Sequence, residues 1–265
     1  MASFAARRTK TGGKMSLGEH LVELRKRILI AAIAIALGAI GGWLVSGYVW
    51  DALRAPVSEI INATYRHAQI NYPDITSAFD LKLKIAVYVG LVVSSPVWLF
   101  QLFAFLAPGL TRKEKRYTYG FVFSAVPLFL LGCASGWYVV PHVVVLLTSF
   151  APKQDAAYIT AGDYFDFIMK LVVAIGIAFV LPVFVVLLNF AGVISAKSII
   201  RSWKIATLLI ILFTAIATPA ADVGSMFLLA VPMVVLYFAA YGAAALHDRA
   251  ASRRMLAEER SYSNV

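Results

Sequence analysis

The chain has 265 residues, of which 61% are hydrophobic, against the roughly 45–50% usual for a globular domain, so lipid must supply part of its apolar environment. A net charge of +10 would suit a nucleic-acid binder if the basic residues formed one stripe, but they sit in short clusters between long apolar runs, which excludes that class. One cysteine, Cys133, and four scattered histidines give no intrachain disulfide and no cluster at metal-ligand spacing, so no metal or other cofactor is expected.

In chain order, the basic start resembles a signal-peptide n-region, but the apolar run after Arg27 is too long for an h-region and the first span is expected to be retained. A bilayer core about 30 Å thick needs roughly 20 helical residues. Apolar segments over 28–50, 85–107, 121–147 and 165–191 meet that length. Two tighter segments follow, 205–217 and 223–243, separated only by Thr218, Pro219, Ala220, Ala221 and Asp222. The fifth spans about 20 Å, short of the hydrocarbon thickness, so it is expected to be sunk, flanked by thinned lipid or extended by Trp203 and Lys204.

The organisation expected is a basic, amphipathic segment over 1–27, a six-span membrane domain over 28–243 and a tail over 244–265. Six spans put both termini on one side. That side holds seven basic residues before Ile28, four from Arg112 to Arg116, three from Lys197 to Lys204 and four after Leu246, 18 of 24 in all. The bias places both termini in the cytoplasm.

On the other side, Pro56 can start a short interfacial helix with Val57, Ile60, Ile61 and Tyr65 at helical spacing, and 148–162 reads as an irregular cap. Pro96, Pro127, Pro182 and Pro232 fall inside apolar segments, where each removes an amide donor and invites a kink. Asp166 and Lys170, four apart, can pair or snorkel. Charge is otherwise almost absent from the spans, which lowers a secondary transporter of a small solute or ion as the rival reading. A membrane-bound hydrolase lacks a base beside Ser94, Ser95, Ser124 or Ser135.

Three short stretches carry chemistry. Leu17, Leu21, Leu24 and Ile28 share one helical face around His20, Leu21, Val22, Glu23, Leu24 and Arg25. Glu23 either pairs with Arg27 at i,i+4 or, as a scarce carboxylate on a basic face, attracts a cationic ligand. After Phe105, Pro108 and Gly109 end a helix, and Glu114 is the one acid among Arg112, Lys113, Lys115 and Arg116. That loop reads either as a positive-inside loop with an incidental acid or as a second anionic well, and its bases can hold anionic lipids. Asp222, after Thr218 and Pro219, can cap the sixth helix near Ser225.

These stretches resemble the TatC family, the signal-peptide receptor subunit of the twin-arginine protein translocase. The resemblance implies an all-α integral membrane fold with six transmembrane helices in a concave, glove-like arrangement. It implies recognition of folded preproteins through twin-arginine signal peptides, with Glu23 and Glu114 contacting the arginine pair. His20, Leu24, Arg25, Pro108, Gly109 and Asp222 belong to the matching motifs. Pro56 and Phe103 match positions that support the outer cap and the groove. TatA-like and TatB-like single-span subunits are the implied partners, in a multimeric complex of the bacterial cytoplasmic membrane driven by the proton-motive force. No bond is made or broken in such a function, so an enzyme is not expected. One departure stands out: Phe179, Val180 and Leu181 occupy the stretch before Pro182 where family members often carry a glutamate, and Met226 replaces a polar residue after Asp222.

Overall fold

The computed structural model describes residues 17–64, 68–106, 115–149, 157–217 and 223–263. Its elements are α1 (Leu17–Thr64), β1 (Ala68–Asn71), α2 (Ser77–Val93), α3 (Ser95–Leu106), α4 (Lys115–Ser149), β2 (Ala157–Thr160), α5 (Ala161–Phe190), α6 (Ala196–Arg201), α7 (Trp203–Ala217) and α8 (Val223–Ser263). Four of these helices are long and apolar enough to cross a membrane, and α2 with α3 forms a further, bent pair. At 15 residues, α7 starts at Trp203, the extension that its length requires.

The burial pattern separates core from lipid-facing surface. Phe165 and Ile168 of α5 are fully buried in one cluster with Leu99, Phe103 and Phe129 from α3 and α4, and Ile175 is fully buried in a second with Val139, Val143 and Leu229. By contrast Ile33, Leu37, Ile40 and Leu44, at helical spacing on α1, are all exposed, an apolar stripe that none of the described residues covers.

Close helix crossings explain how apolar helices associate where lipid is as apolar as leucine. A Cβ on Gly38 would lie 2.8 Å from the Gly90 carbonyl oxygen, and one on Gly42 would lie 2.5 Å from that of Ala86. The four-residue spacing puts both glycines on one face of α1, where the α2 backbone lies against them. A second crossing repeats the device: Gly132 and Gly136 of α4 approach the Cα atoms of Gly176 and Val172 of α5. Small residues thus admit the van der Waals contact that drives association within a membrane.

Several local expectations change. α1 runs unbroken through position 56 to Thr64, so no separate helix starts at Pro56. The stretch read as an irregular cap supplies β2, which pairs in parallel with β1 from Ala68↔Ala157 to Asn71↔Thr160. Two extended segments far apart in sequence satisfy each other's backbone groups there, a pairing no local signal announces. Asp166 pairs with Lys84 at 2.8 Å rather than with Lys170, because α2 passes closer to it than the next turn of its own helix reaches. Tyr164 Oη donates to the Leu53 carbonyl at 2.8 Å, so α5 is tied to both α1 and α2 at this capped end.

At the opposite end of α5, Gly192 adopts φ 72°, the left-handed conformation that ends a helix, and α6 follows at once. Asp248 of α8 accepts from the Ala196 amide at 2.7 Å and from Asn189 Nδ2 at 2.9 Å. Tyr237 Oη donates to the Ile199 carbonyl at 2.6 Å. α8 therefore fastens the α5–α7 connection, a job that requires it to continue as a helix beyond position 243, and it does so to Ser263.

Candidate functional site

Ser94 interrupts the α2–α3 pair, and the two helices bend by 59° just before Pro96. The helix breaks at Ser94, so a carbonyl of the last α2 turn needs a donor other than the next backbone amides. Trp98 Nε1 provides it, bonding the Leu91 carbonyl at 2.8 Å. The bend swings α3 against the first turns of α1 and leaves an open groove of about 270 Å³ between them. Leu24, Ile28, Leu91, Trp98, Leu102 and Phe105 give that groove an almost wholly apolar wall.

Two polar residues, Arg27 and Gln101, also line it. Glu23 and Arg27 form the i,i+4 ion pair: Oε1 accepts from Arg27 Nη2 at 2.6 Å and from Nε at 3.0 Å. Arg27 Nη1 reaches across to Gln101 Oε1 at 3.2 Å, so one guanidinium joins α1 to α3. Both members of the ion pair are 22% exposed, which places them at a boundary and not in open water. The second carboxylate oxygen, Glu23 Oε2, is covered and has no hydrogen-bond partner among the described residues. A covered acceptor left unpaired costs about 1–3 kcal/mol, a cost that an incoming donor relieves only once the groups covering this oxygen move.

One turn earlier, His20 stacks on Phe105 at 4.5 Å between ring centroids with the planes 19° apart. Leu24 is half-buried in the groove wall, whereas Arg25 points to the surface. Phe103 is fully buried and stacks on Phe184 of α5 at 4.5 Å, fixing α3 to the core beneath the groove. Val180, at the stretch where a glutamate was to be expected, is 2% exposed in that same core. Glu114, Pro108, Gly109 and Asp222 lie outside the described residues, and nothing is described of the Pro56 side chain. The structure thus brings His20, Glu23 and Leu24 together with α3, and adds Gln101, which the motif reading passed over. Gln101 had a signal: it is the one amide in the apolar run of α3, three residues after Trp98 and four before Phe105, hence on their face.

The Glu23 stretch, the bent second span and the sequence on either side match a known pattern. The family model for the Sec-independent protein translocase protein (TatC) matches residues 19–232. The chain belongs to the TatC family. The Sec-independent protein translocase protein TatC of Xylanimonas cellulosilytica is 42% identical over 91% of this chain and 87% of its own. That of Campylobacter jejuni is 35% identical, covering 83% of this chain and 90% of its own. A crystal structure of the twin arginine translocase receptor TatC superposes with a TM-score of 0.65 at 31% identity, over 86% of this chain and 99% of that one. As a member of this family the chain is a membrane component of a protein translocase, with several helices long and apolar enough to cross a bilayer.

Proposed function

We propose that this chain is the signal-peptide receptor subunit of a twin-arginine translocase, and that the groove between α1 and α3 is where the peptide docks. The observation that carries the reading is Glu23: a boundary carboxylate with an unpartnered oxygen, set beside an apolar, aromatic-lined groove. Such a place fits a ligand with cationic residues next to an apolar segment, since carboxylates receive guanidinium groups by charge-assisted hydrogen bonds and the groove receives the apolar part. In this reading Glu114, which directly precedes α4 in the sequence, supplies a second carboxylate to the ligand.

In this reading the chain crosses the bacterial cytoplasmic membrane six times, counting α2 with α3 as one span and α7 as the fifth. Residues 28–243 form the concave membrane domain, with 1–27 and 244–265 cytoplasmic, as the placement of 18 of 24 basic residues favours. The chain recruits TatA-like and TatB-like single-span subunits into a multimeric complex, the proton-motive force drives export of the folded preprotein, and anionic lipids sit against the basic cytoplasmic loops. His20 and Phe103 hold the groove's shape.

Photocrosslinking tests the site. Photoreactive residues placed beside Glu23 and Glu114 should capture a twin-arginine precursor, and much less of a precursor whose arginine pair is replaced. Crosslinks that ignore that pair would overturn the receptor assignment. Cysteines at positions 112 and 153, labelled from outside intact cells, should react only at 153; equal labelling would overturn the topology.

A further inference from the structure

We propose that Arg27, held by Gln101, is a built-in competitor for the arginine subsite at Glu23, and that it must leave before a ligand guanidinium can dock there. The proposal rests on the receptor reading above and adds how the site is kept shut.

The geometry carries it. Arg27 spends two of its N–H donors, Nε at 3.0 Å and Nη2 at 2.6 Å, on a single carboxylate oxygen. A guanidinium docking in the strongest geometry needs both oxygens of a carboxylate, one for each arm of its fork. Here Oε1 is already doubly engaged, and Oε2, though unpartnered, is covered. No second guanidinium can therefore fork onto Glu23 while Arg27 stays. Arg27 is itself held in that position from the other helix, through Nη1 to Gln101 Oε1 at 3.2 Å. A neutral amide suits this role, because it fixes the guanidinium's direction without drawing it away from Glu23 by charge.

Arg27 and Gln101 also line the groove, so displacement of Arg27 alters the wall that the apolar part of a ligand would touch. Displacing an ion pair held by three hydrogen bonds is unfavourable for an isolated cation. A ligand that fills the groove as well brings additional contact energy to offset that cost. The competitor thereby couples arginine docking to groove filling, a form of selection against partial ligands.

The test measures binding of a twin-arginine signal peptide to the full chain in nanodiscs. Arg27→Lys keeps the charge but loses the fork, so it should release the competitor and tighten binding about tenfold, the equivalent of one charge-assisted hydrogen bond. General electrostatic repulsion by residue 27 predicts no change for this variant. Gln101→Leu should tighten binding by a smaller factor, and the double variant should bind no more tightly than Arg27→Lys alone, since both act through one side chain. Unchanged or weaker binding by Arg27→Lys, or strictly additive effects, would overturn the proposal. Arg27→Gln serves as a second variant under the same criterion if Arg27→Lys loses thermal stability. Glu23→Gln separates the two layers: wild-type binding there removes the receptor reading, whereas lost binding there with an unresponsive Arg27→Lys removes only the competitor.

Discussion

At the capped end, β1 and β2 pair through four residues each, Tyr164 donates to the Leu53 carbonyl, and Lys84 meets Asp166, so α1, α2 and α5 are tied by several long-range bonds, although Trp50 Nε1 there is covered and has no partner among the described residues. At the Glu23 end, among the described residues, the polar and ring contacts of α1 with α3 include one guanidinium and one ring stack, beside an open groove and a carboxylate oxygen without a partner. Local stability follows the number of satisfied long-range contacts, and a surface that must admit a ligand is drawn from the less satisfied end. The difference is consistent with the proposed division, in which the capped end is structural and the Glu23 end receives the ligand.

The largest effect that would sharpen this contrast is on binding. Glu23→Gln should weaken twin-arginine peptide binding by about 2–5 kcal/mol, the cost of removing one side of a desolvated charge pair, with thermal stability nearly unchanged. Titration calorimetry beside a melting curve reads both, and a large stability loss would mean that Glu23 is structural after all.

Next in size is a change to the crossing that both ends share. Gly42→Leu must push a side chain into the α2 backbone, where even a Cβ would lie 2.5 Å from the Ala86 carbonyl oxygen. Overpacking of this kind costs about 1–3 kcal/mol, whereas Gly41→Leu, with open space at its Cβ, should be tolerated. Unfolding in detergent compares the pair, and equal melting temperatures would refute the close crossing.

Tyr164→Phe removes the donor from a buried carbonyl and should cost about 1–2 kcal/mol of stability while leaving peptide binding intact. A binding defect in this variant would show that the two ends are coupled and break the division drawn here. The smallest effect belongs to Lys84 and Asp166. With side chains 42% and 28% exposed, that pair is screened, and Asp166→Asn should change stability by less than about 1 kcal/mol. A double-mutant cycle with Lys84→Met measures the coupling.

Much of this was legible in the sequence because its causes are local. Apolar length placed the long helices, and the i,i+4 spacing offered the Glu23–Arg27 pair as one of two readings; of the four prolines read as kink sites Pro96 lies at the bend, whereas Pro127, Pro182 and Pro232 sit inside continuous helices. The stretch around Glu23 and the aromatic at Phe103 pointed to the family and to a groove supported from beneath. The Glu23 stretch could not announce Gln101, since the residues that meet there are 74 positions apart. Asp166 looked equally ready to pair with Lys170, and only the path of α2 put Lys84 there instead. Likewise Asp248 read as part of a tail, yet it secures Ala196 and Asn189 across more than fifty residues.

The sequence by itself determined which segments prefer lipid, where helices weaken and which carboxylates are scarce, because hydropathy, proline and charge act on their immediate neighbours. Tertiary structure alone decided that β1 finds β2, that glycines let α1 lie on α2, and that Arg27 stands on Glu23 with Gln101 behind it. Those outcomes depend on how separate helices approach one another, and that is set by packing summed over the whole bundle, not by any one stretch of chain.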